Sequence, residues 1–95
     1  MTEQATEGAD GIFDGRPVMF FDGGCPICRR EVDFYRRLDR AGRVQWYDIT
    51  ADTRALTALG IRPRDAQARL HALDRQGSIR IGAAAFVAIW RELPY

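Results

Sequence analysis

The chain has 95 residues, 46% of them hydrophobic, with fourteen arginines, no lysine and thirteen acids, for a net charge of +1. That length supports one domain with a modest core, and that hydrophobic share excludes wholesale disorder. The charge balance argues against a nucleic-acid-binding surface, and no apolar run approaches the roughly 20 residues that span a bilayer, so neither nucleic acid nor a membrane span is expected.

Residues 1–16 read as a flexible N-terminal leader and residues 17–95 as the folded domain. The leader is acidic, with Glu3, Glu7, Asp10 and Asp14 uncompensated before Arg16, and only Ile12 and Phe13 can anchor it. It lacks the basic patch and apolar stretch of a secretory signal, so a reducing, cytoplasmic compartment is expected. Pro17 opens the first strand, and Val18 to Phe21 is a short apolar run without alternation, the mark of a strand covered on both faces. Asp22-Gly23-Gly24 breaks it. Helical periodicity follows from Pro26 to Ala41. Cys28, Val32 and Tyr35 form one edge of an apolar stripe, and Ile27, Phe34, Leu38 and Ala41 the other. Pro26 suits the first helical turn, and Gly42 is expected as the left-handed cap. Val44 to Ile49 reads as a second strand, a spacing suited to a right-handed parallel crossover.

Asp52 is placed to cap a short helix carrying Leu56 and Leu59, stopped at Gly60, and Pro63 starts another helical turn through Ala66. Leu70 to Leu73 and Ser78 to Ile81 read as a hairpin around the turn Asp74 to Gly77. Gly82 precedes a last helix over 83–92, which Pro94 stops. The order is β-α-β-α-β-β-α, an α/β chain. Its two cysteines, Cys25 and Cys28, stand where the first strand hands over to the first helix. That is the sheet edge where sites form in open α/β folds, and a close Cys pair in a reducing compartment is catalytic or metal-binding before it is a staple.

This order, with Cys-x-x-Cys at the first β–α junction, resembles the thioredoxin superfamily. The string Phe21-Asp22-Gly23-Gly24-Cys25-Pro26-Ile27-Cys28 resembles more closely the DCC family of thiol–disulfide oxidoreductases, whose signature is Asp-x-x-Cys-x-x-Cys after an apolar strand. Arg29-Arg30-Glu31-Val32, Leu70-His71, Gly77 and Gly82 to Val87 fit the same family, so the resemblance covers roughly residues 17–94. It implies a thioredoxin-like, glutaredoxin-like core: a four-stranded mixed sheet of order 2-1-3-4 with flanking helices and a parallel first pair. It implies a redox-active Cys25–Cys28 disulfide, no bound cofactor, a protein or small-molecule disulfide as substrate, and an external thiol reductant such as glutathione or a thioredoxin system. Two departures stand out. Thioredoxins carry a cis-proline before the third strand, where this chain has Ala66-Gln67-Ala68-Arg69. Family members also continue with a further helical segment where this chain stops at Tyr95.

The residues give the chemistry its roles. A thiolate, not a thiol, attacks a disulfide. Cys25 precedes the first helical turn, where free N–H groups and the helix dipole favour an anion, and Arg29 one turn on adds positive charge. Cys25 is therefore the expected nucleophile and the more exposed sulfur. Cys28, three residues on, is the expected resolving thiol and the more buried one. Gly23, Gly24, Pro26 and Arg29 frame the pair as substrate-binding positions. Asp22 has two readings: it hydrogen-bonds the Gly-Gly turn, or it relays protons for the pair. Gly82 also has two. It lets a helix N-terminus hold a glutathione carboxylate, or it only lets that helix pack tightly.

No metal is expected, because structural zinc wants four ligands and the chain offers two cysteines and one histidine, His71. A soft-metal dithiolate site and a non-enzymatic thioredoxin-like binding module remain the other readings of the pair. His71, Trp46, Tyr47 and Trp90 are read as packing residues. The last helix carries Phe86, Val87, Ile89, Trp90 and Leu93 around most of its circumference, more than one sheet face covers, so this C-terminal helix is expected to meet either a second copy, as a homodimer, or a further segment beyond Tyr95.

Overall fold

The first strand runs through the middle of the sheet, and its composition explains why. The computed structural model describes residues 13–94. Strand β1 (Val18–Phe21) is buried along its whole length. Val18 and Phe20 point to one face, where they meet Ile49, Ala55, Leu56, Ala66 and Leu73. Met19 points to the other, against Val44, Ala72, Ala85 and Ile89. A strand covered on both sides has no place for a polar residue, hence the unalternating run. Phe20, Met19, Leu56 and Ile89 are each at most 2% exposed. Burial of side chains of this size contributes roughly 1.5–3 kcal/mol apiece.

Around β1 the order is α1 (Pro26–Leu38), β2 (Gln45–Asp48), α2 (Arg54–Leu59), α3 (Pro63–Ala68), β3 (His71–Leu73), β4 (Ile79–Ile81) and α4 (Ala83–Trp90). The four strands lie in the order β2-β1-β3-β4. β1 pairs parallel with β2, Val18 opposite Gln45 and Phe21 opposite Asp48. β3 joins β1 antiparallel, and β4 joins β3 antiparallel. This is the thioredoxin-like α/β arrangement expected, a mixed sheet of order 2-1-3-4. Leu56 of α2 and Ala66 of α3 seal one face, and Ala85 and Ile89 of α4 seal the other. α1 lies beside α4, where the Tyr35 and Trp90 rings approach to 6.3 Å. No described helix is long and apolar enough to cross a membrane. Most of the expected leader lies outside the described residues, Ile12 included; Phe13 packs against the first cluster and anchors the entry to β1.

Two expectations about α1 are corrected. The helix ends at Leu38, three residues before Ala41, and Gly42 is not its cap. The cause is Asp39, a buried carboxylate. Its Oδ1 accepts from the Arg43 N–H at 2.8 Å and its Oδ2 from the Val44 N–H at 3.0 Å and the Trp46 indole at 3.3 Å. Those donors pull the chain out of the helix and turn it toward β2, with Gly42 at φ +66° inside the turn. The second correction is the apolar stripe. Val32 is the one buried residue of α1, while Ile27 is 76% and Phe34 51% exposed. Four short strands present too little surface to cover the second edge of the stripe. A carboxylate also organises the hairpin: Asp74 accepts from the N–H groups of Gln76 and Ser78 and from Arg80 Nε. His71 is buried, with Nδ1 2.8 Å from the Arg69 carbonyl, as a packed strand residue should be.

Replacing Asp39 strands two backbone N–H groups and an indole N–H at once. Asp39→Ala is expected to lose about 1–3 kcal/mol, read from urea denaturation midpoints, with Asp39→Asn losing less because it keeps one acceptor.

Candidate functional site

β1 ends at Phe21, and the next four residues form a tight turn that sets Cys25 at the start of α1. The Asp22 carbonyl accepts from the Cys25 N–H at 3.1 Å, and Asp22 Oδ1 accepts from the Gly24 N–H at 2.9 Å. Asp22 is half-buried, and its observed contact is with the turn, the first of the two roles open to it. Pro26 occupies the first helical turn, where no N–H is missed.

A second carboxylate holds the turn from below. Asp48 stands at the end of β2, level with Phe21 in the parallel register. Its Oδ1 accepts from the Gly23 N–H at 3.0 Å, from the Thr50 N–H at 2.9 Å and from the Thr50 hydroxyl at 2.6 Å. Burial pushes the Asp48 carboxyl up, but the Thr50 and Gly23 donors and the Arg29 charge outweigh it and hold the pKa below the usual carboxylate value. The same contact explains Gly23. A Cβ there would lie 2.0 Å from Asp48 Oδ2, inside any allowed contact, so the requirement is space and not backbone conformation. Gly24 is less constrained, the nearest atom to its Cβ being Asp22 Oδ1 at 3.3 Å.

Cys25 is the N-cap of α1, with extended backbone (φ −94°, ψ 113°). Its sulfur accepts from the Cys28 N–H at 3.4 Å. The Cys28 thiol and backbone N–H, helped by the Ile27 N–H, stabilise a Cys25 thiolate and lower its pKa, while the charge of Asp22 opposes them. Cys28 is driven the other way. Its bond to Cys25, burial, and the charges of Cys25, Asp22 and Glu31 push it up to about 11. Of the two sulfurs, Cys25 is thus the one whose anion is favoured.

The expected exposures are reversed. Cys25 is half-buried and Cys28 exposed. Cys25 sits in the turn between the Asp22 and Asp48 loops, whereas Cys28 lies one turn before Val32, the first residue of α1 that the core covers. The distinction between the sulfurs therefore rests on hydrogen bonding, not on access.

A cleft of about 300 Å³ opens beside Cys28. Its walls are the end of β1 from Met19 to Asp22, Glu31, Val32 and Tyr35 of α1, the segment 66–70, and Phe86 of α4. The segment that replaces the thioredoxin proline thus faces Cys28 across the cleft, and no cis peptide bond occurs among the described residues. Gly82 does not line the cleft. It begins α4 at φ +66°, its N–H bonded to the Leu70 carbonyl at 2.8 Å, and a Cβ there would come within 3.3 Å of the Arg69 guanidinium. Arg69, not Gly82, reaches the cleft wall. The Arg29 N–H bonds the Cys25 carbonyl at 2.9 Å, and its charge is felt at Asp48. A larger depression of about 570 Å³, between Asp74, Arg75, Arg80, Arg91 and Glu92, holds neither cysteine and is bridged by the Arg75–Glu92 and Arg80–Asp74 ion pairs. Among the described residues no three His, Cys, Asp or Glu side chains converge as metal ligands.

Reasoning from sequence missed Asp48, Thr50, Tyr35, Arg69 and Phe86. A signal for Asp48 existed: it ends the strand that a parallel crossover places next to the first, at the same sheet edge as the cysteines.

Residues 19–95 match the family described as DCC1-like thiol-disulfide oxidoreductase. An uncharacterized chloroplastic protein of Arabidopsis thaliana is 29% identical over 77 residues, a stretch covering 79% of this chain and 36% of that relative. The chain therefore spans little more than a third of that relative's length. No solved structure matches significantly.

Thiolate fraction rises with pH, and a lowered pKa moves that rise to lower pH. With limiting iodoacetamide and peptide mapping, Cys25 is expected to label first, with a midpoint below that of a free cysteine. Gly23→Ala should break the Asp48 contact, move this midpoint toward the free-cysteine value and cost about 1–3 kcal/mol of stability. Gly24→Ala should do less of both. Equal midpoints in wild type and Gly23→Ala would separate the turn from the thiol chemistry.

Proposed function

The chain belongs to the DCC1-like thiol-disulfide oxidoreductase family, and from that premise we propose that it exchanges disulfides through the Cys-Pro-Ile-Cys dithiol, Cys25 attacking and Cys28 resolving. The observation that carries this reading is the Cys28 N–H and thiol aimed at the Cys25 sulfur, which drives the two pKa values apart. An attacking thiol needs its anion near neutral pH, and a resolving thiol must wait until the first bond has formed.

The exchange proceeds in two steps. The Cys25 thiolate attacks one sulfur of a substrate disulfide, forming a Cys25–substrate S–S bond as the substrate bond breaks. The second substrate sulfur leaves as a thiolate and takes a proton. Once Cys25 is bonded, its negative charge is gone, and with it the largest cause holding Cys28 protonated, though burial and the charges of Asp22 and Glu31 remain. Cys28 then gives its proton to water or to the departing thiolate and attacks the Cys25 sulfur. The substrate leaves as a dithiol, reduced by two electrons, and the chain carries the Cys25–Cys28 disulfide. An external thiol, glutathione or a thioredoxin-type dithiol, restores the pair, which suits a reducing, cytoplasmic compartment. Asp22 and Asp48 serve as positioning residues: each holds a glycine N–H of the turn that presents Cys25. No resident cofactor takes part in this scheme.

Cys28→Ser is expected to accumulate a mixed disulfide through Cys25 when mixed with a disulfide substrate, visible as a mass adduct released by dithiothreitol. Cys25→Ser should accumulate none. Adducts on Cys28 in Cys25→Ser, and none in Cys28→Ser, would exchange the two roles; no adduct in either would leave the dithiol idle.

A further inference from the structure

α1 and α4 leave a run of apolar side chains uncovered on one side of the molecule. The exposed Val87 borders the separate depression beside Asp74 and Arg91, whereas Ile27 is 76%, Phe34 51% and Trp90 44% exposed on this side. They are not scattered. Phe34 and Tyr35 meet edge-to-face at 5.6 Å, Tyr35 meets Trp90 at 6.3 Å, and Trp90 meets Phe86 at 5.4 Å. The two inner rings of this chain, Tyr35 and Phe86, also line the cleft beside Cys28. The ring surface and the redox cleft are one continuous apolar surface, deep at the sulfur end and open at the Phe34–Trp90 end.

We propose that this surface docks the apolar segment flanking a disulfide in a polypeptide substrate, which makes protein disulfides with an aromatic or aliphatic flank the preferred substrate class. The proposal rests on the exchange reading above and adds to it the part of the substrate that is recognised. Reach supports it. Nine positions along the start of α1 separate Cys25, the attacking sulfur, from Phe34, a rise of about 13 Å, which about four residues of extended chain span. An apolar side chain three to five residues from the substrate cysteine therefore meets the rings while its sulfur meets Cys25 at the mouth of the cleft, next to Cys28. A small disulfide is held by the cleft alone and has no use for the exposed end.

Charge argues for a foreign segment over a second copy of the chain. Arg30 stands three residues after Ile27, Arg37 three residues after Phe34, and Arg91 follows Trp90, all exposed. A two-fold dimer across this surface would set arginines against arginines and would close the cleft over the cysteines. An apolar segment whose acidic residues fall at the ring end, away from Asp22 and Glu31 of the cleft wall, meets neither obstacle.

The test is single-turnover reduction by the pre-reduced chain of three substrates. Two are synthetic peptides with the same disulfide ring, one flanked by Phe, Leu and Asp, the other by Ser and Gly; the third is hydroxyethyl disulfide. The wild type should reduce the apolar-flanked peptide about tenfold faster than the polar one, the fold-change expected for one aromatic contact. Phe34→Ser and Trp90→Ser should remove that preference and leave the hydroxyethyl disulfide rate unchanged. Ile27→Ser, at a site without ring contacts, should reduce the preference without any risk to folding from a lost ring contact. Equal rates for both peptides in the wild type would overturn the proposal. So would a concentration-dependent dimer in sedimentation that Phe34→Ser abolishes, since a second copy would then own the surface. Failure to reduce any of the three, hydroxyethyl disulfide included, would instead remove the exchange reading, and this proposal with it.

Discussion

The bond from the Gly23 N–H to the Asp48 carboxylate is the contact on which the turn that carries Cys25 depends. Parallel pairing sets Phe21 opposite Asp48, and the Ile49 N–H continues the ladder to the Phe21 carbonyl at 2.9 Å. One residue past that register, the two strand ends separate, and only a carboxylate of the right length bridges them. The site is glycine because the carboxylate fills the space a Cβ would need. Asp22 does the same on the other side of the turn, through the Gly24 N–H. Two carboxylates thus hold two successive glycine N–H groups, and Cys25 is presented as the helix cap with little freedom to move.

This use of negative charge has a consequence for the thiols. Asp22 disfavours a Cys25 anion, yet the Cys25 pKa falls, because the Cys28 thiol and the N–H groups of Cys28 and Ile27 outweigh the carboxylate. Cys28 receives no such donors and has three negative neighbours, so it is held protonated. The same first turn that lowers one thiol's pKa raises the other's, as the proposed roles require. Exposure runs against these roles, Cys28 being the more open of the two. The difference between the two thiols is therefore one of hydrogen bonding and charge, not of access.

Loops elsewhere are closed by the same device. Asp39 ends α1 and turns the chain into β2, and Asp74 closes the β3–β4 hairpin, each by accepting from backbone N–H groups of the residues that follow. In a domain whose four strands have only three or four residues each, little ladder is available to order the connections. Side-chain acceptors at the strand and helix ends take over that task. The small sheet has a second effect. It covers Val32 of α1 and Ala85 and Ile89 of α4, and leaves Phe34, Val87 and Trp90 in solvent. The uncovered aromatic surface is a direct result of helices wider in apolar extent than the sheet beneath them.

What the amino-acid order determined by itself was whatever depends on neighbours in the chain. The unalternating run Val18 to Phe21 marks the central strand, since apolar residues at both parities require cover on both faces. Pro26 starts α1, Gly60 ends α2 in a left-handed cap, and Asp74 to Gly77 turn the hairpin, because each acts through dihedral preference or a bond within a few residues. The cluster Asp22 to Cys28 was legible for the same reason. Asp48 and Thr50 were not, because they reach the site through the register of a parallel pair that no local pattern encodes. The early end of α1 depended on Asp39 finding donors four and five residues on, in competition with three more residues of helix. The exposure of the sulfurs, and of the rings beside them, depended on how much area the sheet and the opposite helix present. Local sequence sets period and turn, but contact and cover belong to the assembled layers, and only the tertiary structure decides them.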